Sequence, residues 1–158
     1  MLTPWGESDY QTKIADGFYH VGTPSHGGFM IGKAKAVEYL TPEARKRGDE
    51  YGSWLCYEED CQWAMVSYEQ AALTHTTHRQ PWDMVQEQKA AFECLSGWNP
   101  DYLIERGIMP DMDILRRTVQ NDKENHATAP ENWREWAARR LVASETALRQ
   151  AEELEAIL

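Results

Sequence analysis

The sequence lacks an apolar run long enough to cross a membrane. No stretch approaches the roughly 18 consecutive apolar residues that a spanning helix needs. Residues 1–5 include no basic region followed by an apolar segment, so a secretory signal is not expected. We therefore predict a cytoplasmic protein without a membrane partner.

Cysteine is also scarce, and the three cysteines are Cys56, Cys61 and Cys94. An odd number without paired spacing makes a poor disulfide framework, and the separation of the first two is a weak spacing for zinc. We expect reduced, partly buried thiols, which agrees with a cytoplasmic location.

The common motifs of phosphate binding and nucleophilic catalysis are absent. Gly27, Gly28 and Gly32 are not followed by the Lys-Ser/Thr pair of a P-loop, and no G-x-S-x-G turn occurs. Ser25 precedes His26, but adjacency in sequence does not provide the geometry of a nucleophile and its base. We expect no nucleophilic catalytic residue and no cofactor, so a binding protein is favoured over an enzyme.

Basic residues are outnumbered by acidic ones. The chain has 16 Lys and Arg against 26 Asp and Glu, which gives a formal net charge of −10. Direct binding to DNA or RNA is disfavoured, because the phosphate backbone would repel such a protein. The same charge would attract a host protein with a basic nucleic-acid-binding surface. Simple solubility is the alternative explanation of the charge.

The sequence does contain enough apolar and aromatic residues for one folded domain. Hydrophobic residues make up 42% and aromatic residues 11% of the 158 positions, which argues against disorder. In the N-terminal third, β-prone runs flank Asp16 and Gly17, a strong hairpin signal because both positions tolerate positive φ. The predicted fold class is α+β, with a small N-terminal antiparallel sheet followed by a mostly helical C-terminal half that ends in a long helix.

Capping and breaking residues predict where several elements begin. Thr41 followed by Pro42 indicates a capped helical turn. The acids at residues 58–60 predict a helix start, where carboxylates face the positive end of the helix dipole. Residues 81–82, Pro-Trp, predict the start of another helix, and the polar residues 46–53 predict a loop.

The last part of the chain predicts a long helix. Residues 121–130 are polar and predict a loop or linker, which separates a compact domain over residues 1–122 from a helix over residues 130–158. Small and apolar residues recur along this helix at roughly heptad spacing. They are Ala137, Leu141, Ser144, Leu148, Ala151 and Leu158. Packing on the protein's own domain and a homodimer through residues 131–158 explain this stripe equally well.

The loop at His26 is the strongest candidate for a site. Two glycines follow His26 and would let the backbone turn and expose its amide groups to a ligand. Glu58, Glu59 and Asp60 supply carboxylates further along the chain. If the two segments meet, His26, Glu58 and Asp60 could bind a divalent metal ion and activate water. The alternative is a structural histidine in a turn, with the acids capping a helix.

A second pair of histidines lies at His75 and His78. On a helix their spacing would place both on one face, but the threonines around them favour a loop. We therefore expect no metal site at this pair.

Three short motifs follow one another in the first half of the chain. They are TPWGESD at residues 3–9, TPSHGG at residues 23–28 and YEEDCQWA at residues 57–64. Together they resemble an uncharacterised domain family of bacterial mobile elements and phages, over roughly residues 3–70. The resemblance implies a phage or integrated element in a bacterial host cell, and it implies no particular activity.

We therefore predict a non-enzymatic acidic protein of a phage or mobile element that binds and inhibits a host protein. The expected target is a nucleic-acid-targeting defence component, which would make the protein an anti-CRISPR or anti-restriction factor. A metal-dependent hydrolase that uses the His/carboxylate cluster is the alternative. The residues predicted to take part in binding are Trp5, His26, Gly27, Gly28, Glu58, Glu59, Asp60, Glu152, Glu153 and Glu155.

Overall fold

The computed structural model describes residues 1–77 and 83–158, and these residues divide into two compact units. The N-terminal unit is Met1–Phe92 and the C-terminal unit is Glu93–Leu158. This division lies well before residue 122, where the sequence suggested that the compact domain ends. His78 and the helix start predicted at residues 81–82 lie outside the described residues.

The N-terminal unit is built on two antiparallel sheets, which confirms the α+β class. The strands are β1 (Leu2–Thr3), β2 (Gly6–Glu7), β3 (Tyr10–Ala15), β4 (Phe18–Gly22), β5 (Gly27–Gly32), β6 (Asp49–Tyr51) and β7 (Trp54–Glu58). Strands β1 and β2 form a small ribbon, and the other five form a sheet in the order β3-β4-β5-β7-β6. Strand β5 lies at the centre of this sheet and is almost completely buried.

The sequence made two local predictions for this sheet, a hairpin at Asp16 and Gly17 and a loop over residues 46–53. The hairpin predicted at Asp16 and Gly17 joins β3 to β4, and Gly17 has a φ of 66°, which agrees with the turn signal. Residues 46–53 were predicted to be a loop, and this prediction was wrong for β6. Its three residues are polar and exposed because β6 is an edge strand that pairs only with β7 among the described strands, so no apolar alternation marks it.

The N-terminal unit also contains helices, two of which lie between β5 and β6 in the chain. The helices are α1 (Lys33–Tyr39), α2 (Pro42–Arg45), α3 (Trp63–Thr74) and α4 (Met84–Trp98), which continues into the C-terminal unit. The Thr41 hydroxyl accepts from the Ala44 N–H at 3.4 Å, so the predicted cap of α2 is confirmed. The predicted helix start at residues 58–60 was wrong. Glu58 is the last residue of β7, and a turn closed by a hydrogen bond from the Glu58 N–H to Gln62 Oε1 delays the helix to Trp63.

One face of the sheet is closed by an apolar cluster. Val21, Met30 and Cys56 are fully buried, and partly buried side chains that include Trp5 and Trp54 pack against them. Burial, reinforced by the negative charge of Asp49, raises the pKa of the Cys56 thiol to about 11. This thiol therefore stays protonated at neutral pH. None of the three cysteines, which all lie within the described residues, forms a disulfide.

The C-terminal unit contains the end of α4 and three further helices. These are α5 (Pro100–Glu105), α6 (Met112–Thr128) and α7 (Arg134–Glu155), with a single 3₁₀ turn at Glu131–Trp133 before α7. The long terminal helix was predicted from the sequence and is confirmed. None of the described helices combines the length and the apolar character needed to cross a bilayer.

Helix α6 extends through much of the segment that was predicted to be a loop over residues 121–130. The prediction was wrong because the polar residues of this segment pair with α7 or face solvent. Asp122 lies 3.4 Å from Arg140, and Lys123 lies 3.3 Å from Glu145. The helix ends only at Thr128, since Pro130 disfavours helical geometry in the residue before it.

The stripe of small residues on α7 is used inside its own unit. Ala137, Ser144, Ala147 and Ala151 are buried, and the last two pack with Leu115 of α6. Small side chains let the two helix backbones approach closely. Packing within the unit therefore accounts for the buried members of the predicted stripe, Ala137, Ser144 and Ala151, whereas Leu158 at its end is exposed.

Candidate functional site

The register of the central strands brings the His26 turn beside the end of β7. Gly28 of β5 pairs with Glu58 of β7, and the Glu59 N–H donates to the Gly27 carbonyl at 3.0 Å. The two segments that the sequence suggested as partners therefore meet. Gly27 and Gly28 belong to β5 and are buried, so the expectation that they form an exposed loop was wrong.

The turn between β4 and β5 holds His26 in place by hydrogen bonds to Thr23. The Thr23 N–H and the Thr23 hydroxyl both donate to the His26 carbonyl, at 2.7 and 2.8 Å. The same hydroxyl oxygen accepts from the His26 N–H at 3.1 Å. These bonds fix the backbone of His26 and leave its imidazole free of the turn, with the side chain 52% exposed.

Glu58 is oriented by the turn that follows it. Its Oε2 accepts from the Asp60 N–H at 2.9 Å, and its Oε1 lies 3.4 Å from Nδ1 of His26. The Oε1 atom is buried and has no hydrogen-bond partner among the described residues. A buried carboxylate oxygen without a hydrogen bond is costly, and the His26 imidazole is placed to pair with this oxygen when it is protonated.

Glu59 completes a group of three donors. One donor atom each from His26, Glu58 and Glu59 lie within 4.8 Å of one another. The sequence suggested Asp60 as the third ligand, but its backbone N–H is bonded to Glu58 and its carboxylate is outside this group. A Cβ at Gly27 would lie 3.1 Å from Glu59 Oε2 and 2.7 Å from the Val21 carbonyl, so a glycine is needed where the carboxylate crosses the strand.

These donors are of a kind and spacing that suit a divalent cation. Metal–donor bonds of about 2.0–2.2 Å place neighbouring donors about 3–4 Å apart, so small rotations of the exposed His26 and Glu59 side chains would close the group. One imidazole and two carboxylates suit Mn²⁺ or Zn²⁺ better than the all-oxygen site that Ca²⁺ prefers. Three protein ligands leave coordination positions for water.

A cavity of about 390 Å³ adjoins the donor group and shares Glu59 with it. Its walls are largely aromatic, and Gly28 contributes backbone to it. The other lining residues are Tyr10, His20, Phe29, Trp63 and Thr77. Spacing along the sequence does not predict these lining residues. Their side chains come from three strands, from α3 and from the turn after α3, which are far apart in the chain. Tyr10 and His20 meet edge to face with ring centres 5.6 Å apart only because β3 pairs with β4.

The remaining predicted residues lie elsewhere. Trp5 packs on the cluster of Val21, Met30 and Cys56 and so contributes to the core of the N-terminal unit. Glu152, Glu153 and Glu155 lie near the end of α7 in the C-terminal unit, and all three are exposed.

The fold and site together define an α+β unit that carries one imidazole and two carboxylates at the end of its central strands. The chain belongs to the family described as domain of unknown function DUF7007, whose family model matches residues 1–127. Neither the curated proteins nor the solved structures include a match to this chain. The matched residues cover the N-terminal unit and nearly all of α6, whereas α7 lies beyond them.

Proposed function

We propose that the N-terminal unit binds one divalent metal ion through His26, Glu58 and Glu59, and that this ion activates water for a hydrolytic reaction. The observation that carries the proposal is the approach of the three donor atoms to within 4.8 Å of one another. A metal ion lowers the pKa of a bound water and so generates a nucleophile at neutral pH. The adjoining cavity of about 390 Å³ would hold the substrate next to this water.

Metal binding is tested by calorimetric titration of the purified protein with Mn²⁺ and Zn²⁺. We expect saturable binding of one ion and a rise in melting temperature, since a ligand of the folded state stabilises it. Glu58→Gln and Glu59→Gln each remove one anionic ligand at constant shape, and each should weaken the affinity by about tenfold or more. Turnover of model phosphate and carboxylic esters by the metal-loaded protein should fall in the same two variants.

Asp60→Asn is the matched control for this titration. It removes one negative charge from the same turn, but Asp60 is outside the group of three donors. Its affinity should stay within about twofold of the wild type, since only a screened surface charge is lost. Absence of binding in the wild type, or an equal loss in all three variants, would contradict a specific site.

The charge of the molecule supports a second proposed function. Acidic residues outnumber basic ones in both units, and residues 58–60 and the last turn of α7 concentrate them. These features support the prediction that the protein binds and inhibits a host protein with a basic nucleic-acid-binding surface. The phage or mobile-element setting and an anti-CRISPR or anti-restriction role belong to this second proposal.

Pull-down of the tagged protein from a bacterial lysate tests this role, with identification by mass spectrometry. One stoichiometric partner whose retention falls as salt is raised is the expected result, because opposite surface charges are screened. The double variant Glu152→Lys and Glu155→Lys should retain less of this partner and depend less on salt. A partner retained equally by the wild type and the variant at all salt concentrations would exclude the electrostatic contact.

A further inference from the structure

Helix α7 has a second row of residues at heptad spacing that is exposed, and two of its members, Ala143 and Gln150, line a groove beside Trp98 of the same unit. The row consists of Trp136, Ala143, Gln150 and Ile157, the last of which lies just beyond the end of the helix. All four are exposed; Trp136 is 45% and Ile157 81% exposed. We call these four residues the outer seam.

We propose that the outer seam is the contact between two copies of this chain, with their α7 helices antiparallel and related by a two-fold axis near Thr146. In this register Trp136 faces Ile157 of the second copy, and Ala143 faces Gln150. Each large side chain therefore meets a smaller or flexible one, as interdigitating helices require. Seven-residue spacing keeps such a row on one side of a helix over several turns.

The charges on α7 select the antiparallel orientation. Arg134 and Arg139 are exposed in the first two turns, whereas Glu152, Glu153 and Glu155 are exposed near the end. Arg139 lies 3.5 Å from Glu135 of its own helix, and Arg140 is held within the unit by Asp122. A parallel pair would bring like charges together, which costs free energy, but an antiparallel pair places Arg139 beside Glu153 of the second copy. The self-complementary surface that a two-fold dimer needs is therefore present within one helix.

The acidic end of α7 is not explained by the helix itself. Carboxylates near a helix C-terminus face the negative end of the dipole and destabilise it, and the last turn has no basic residue to offset them. A basic segment supplied by a second copy would compensate this cost. The acidic end of α7 is therefore complementary to a basic segment of a second copy, and pairing with that segment would remove its unfavourable interaction with the helix dipole.

The tryptophans at the start of α7 offer a place for the apolar end of the second copy. Trp133 and Trp136 meet edge to face with ring centres 6.0 Å apart, and both are about half exposed. Beside them lies a cavity of about 270 Å³ that is also lined by Thr128 and Pro130. Ile157 of the second copy would enter this cavity, and burial of indole and Ile surfaces would supply most of the association free energy.

Molecular mass in solution, measured by light scattering after gel filtration, tests the proposal on the 158-residue chain. The wild type should be a dimer at micromolar concentration. Arg139→Glu and Glu153→Arg should each shift the mass toward that of a monomer, because each places two pairs of like charges across the seam. Circular dichroism checks that both variants remain folded.

Mixing the two variants in equal amounts is the decisive step. In the mixed dimer the new carboxylate at position 139 of one chain meets the new guanidinium at position 153 of the other, and the second pair of positions keeps Glu153 and Arg139. The mixture should therefore recover the dimer mass. If each substitution acted only by altering its own chain, mixing would not restore the dimer. Arg149→Glu changes the same charge off the seam and should leave the wild-type mass unchanged.

Three results would overturn the proposal. The first is a wild type that is monomeric throughout the micromolar range. The second is a dimer mass that persists in both single variants. The third is a mixture of two folded monomeric variants that stays monomeric.

Discussion

Gly28→Ala is expected to destabilise the N-terminal unit by about 3 kcal/mol or more, since backbone strain and a steric clash act together at this position. Gly28 has a φ of 150°, a region that residues with a side chain rarely adopt. A Cβ there would lie 2.0 Å from the Tyr57 carbonyl oxygen on the neighbouring strand. The clash is with backbone in the middle of the sheet, so it cannot be relieved by a side-chain rotation. Urea denaturation followed by circular dichroism measures the change.

Gly52→Ala separates the two causes. Gly52 also has a positive φ, 57°, but nothing lies within 4 Å of the position that a Cβ would occupy. The cost there should be about 1 kcal/mol, the strain of the left-handed conformation alone. Equal losses of stability in the two variants would contradict the close approach of β5 and β7. The same approach places Glu58 beside His26, so Gly28→Ala should also weaken metal binding.

Arg140→Ala is expected to destabilise the C-terminal unit by about 3–5 kcal/mol, because it leaves a buried charge without its partner. The Arg140 side chain is 15% exposed and that of Asp122 only 8%. The guanidinium also donates to the carbonyls of Gly97 and Trp98 at 2.7 and 3.2 Å and stacks on the Trp98 ring at 4.5 Å. One side chain thus joins the end of α4, α6 and α7. Urea denaturation followed by tryptophan fluorescence measures the loss.

Two comparison variants make this prediction specific. Arg116→Ala removes an exposed arginine that lies 4.0 Å from Asp113, and it should change the free energy of unfolding by less than about 0.5 kcal/mol. The double variant Asp122→Ala and Arg140→Ala removes both charges, so it should be less destabilised than Arg140→Ala alone. If the double variant were the less stable of the two, an unpaired Asp122 could not be the cause of the loss.

The sequence predicted local structure wherever the signal lies within a few neighbouring residues. The turn at Asp16 and Gly17 depends on backbone preferences of two adjacent positions, and the cap at Thr41 on one hydrogen bond between residues three apart in the chain. Polar segments were less informative. Residues 121–130 were predicted to be a loop, because the polar C-terminal part of α6 contacts α7 through charged side chains and continues no apolar stripe.

The sequence predicted the residue types of the candidate site, an imidazole with carboxylates, but not which carboxylates belong to it. His26 and the run of acids at residues 58–60 are visible in the sequence, but the sequence left open whether the two segments meet. The choice of Glu59 over Asp60 follows from the turn after β7, in which the Asp60 N–H bonds to Glu58. The aromatic cavity gave no signal at all, because its walls come from segments far apart in the chain.

By itself the sequence determined the α+β class, the net negative charge, the long terminal helix and the residue types of the candidate site, since each depends on composition or on spacing along the chain. Only the tertiary structure decided which carboxylate accompanies His26, which row of α7 is buried and which row is exposed. Those outcomes depend on the register of paired strands and on the rotation of a packed helix about its axis. Both are set by the simultaneous packing of distant segments, which no local window of sequence contains.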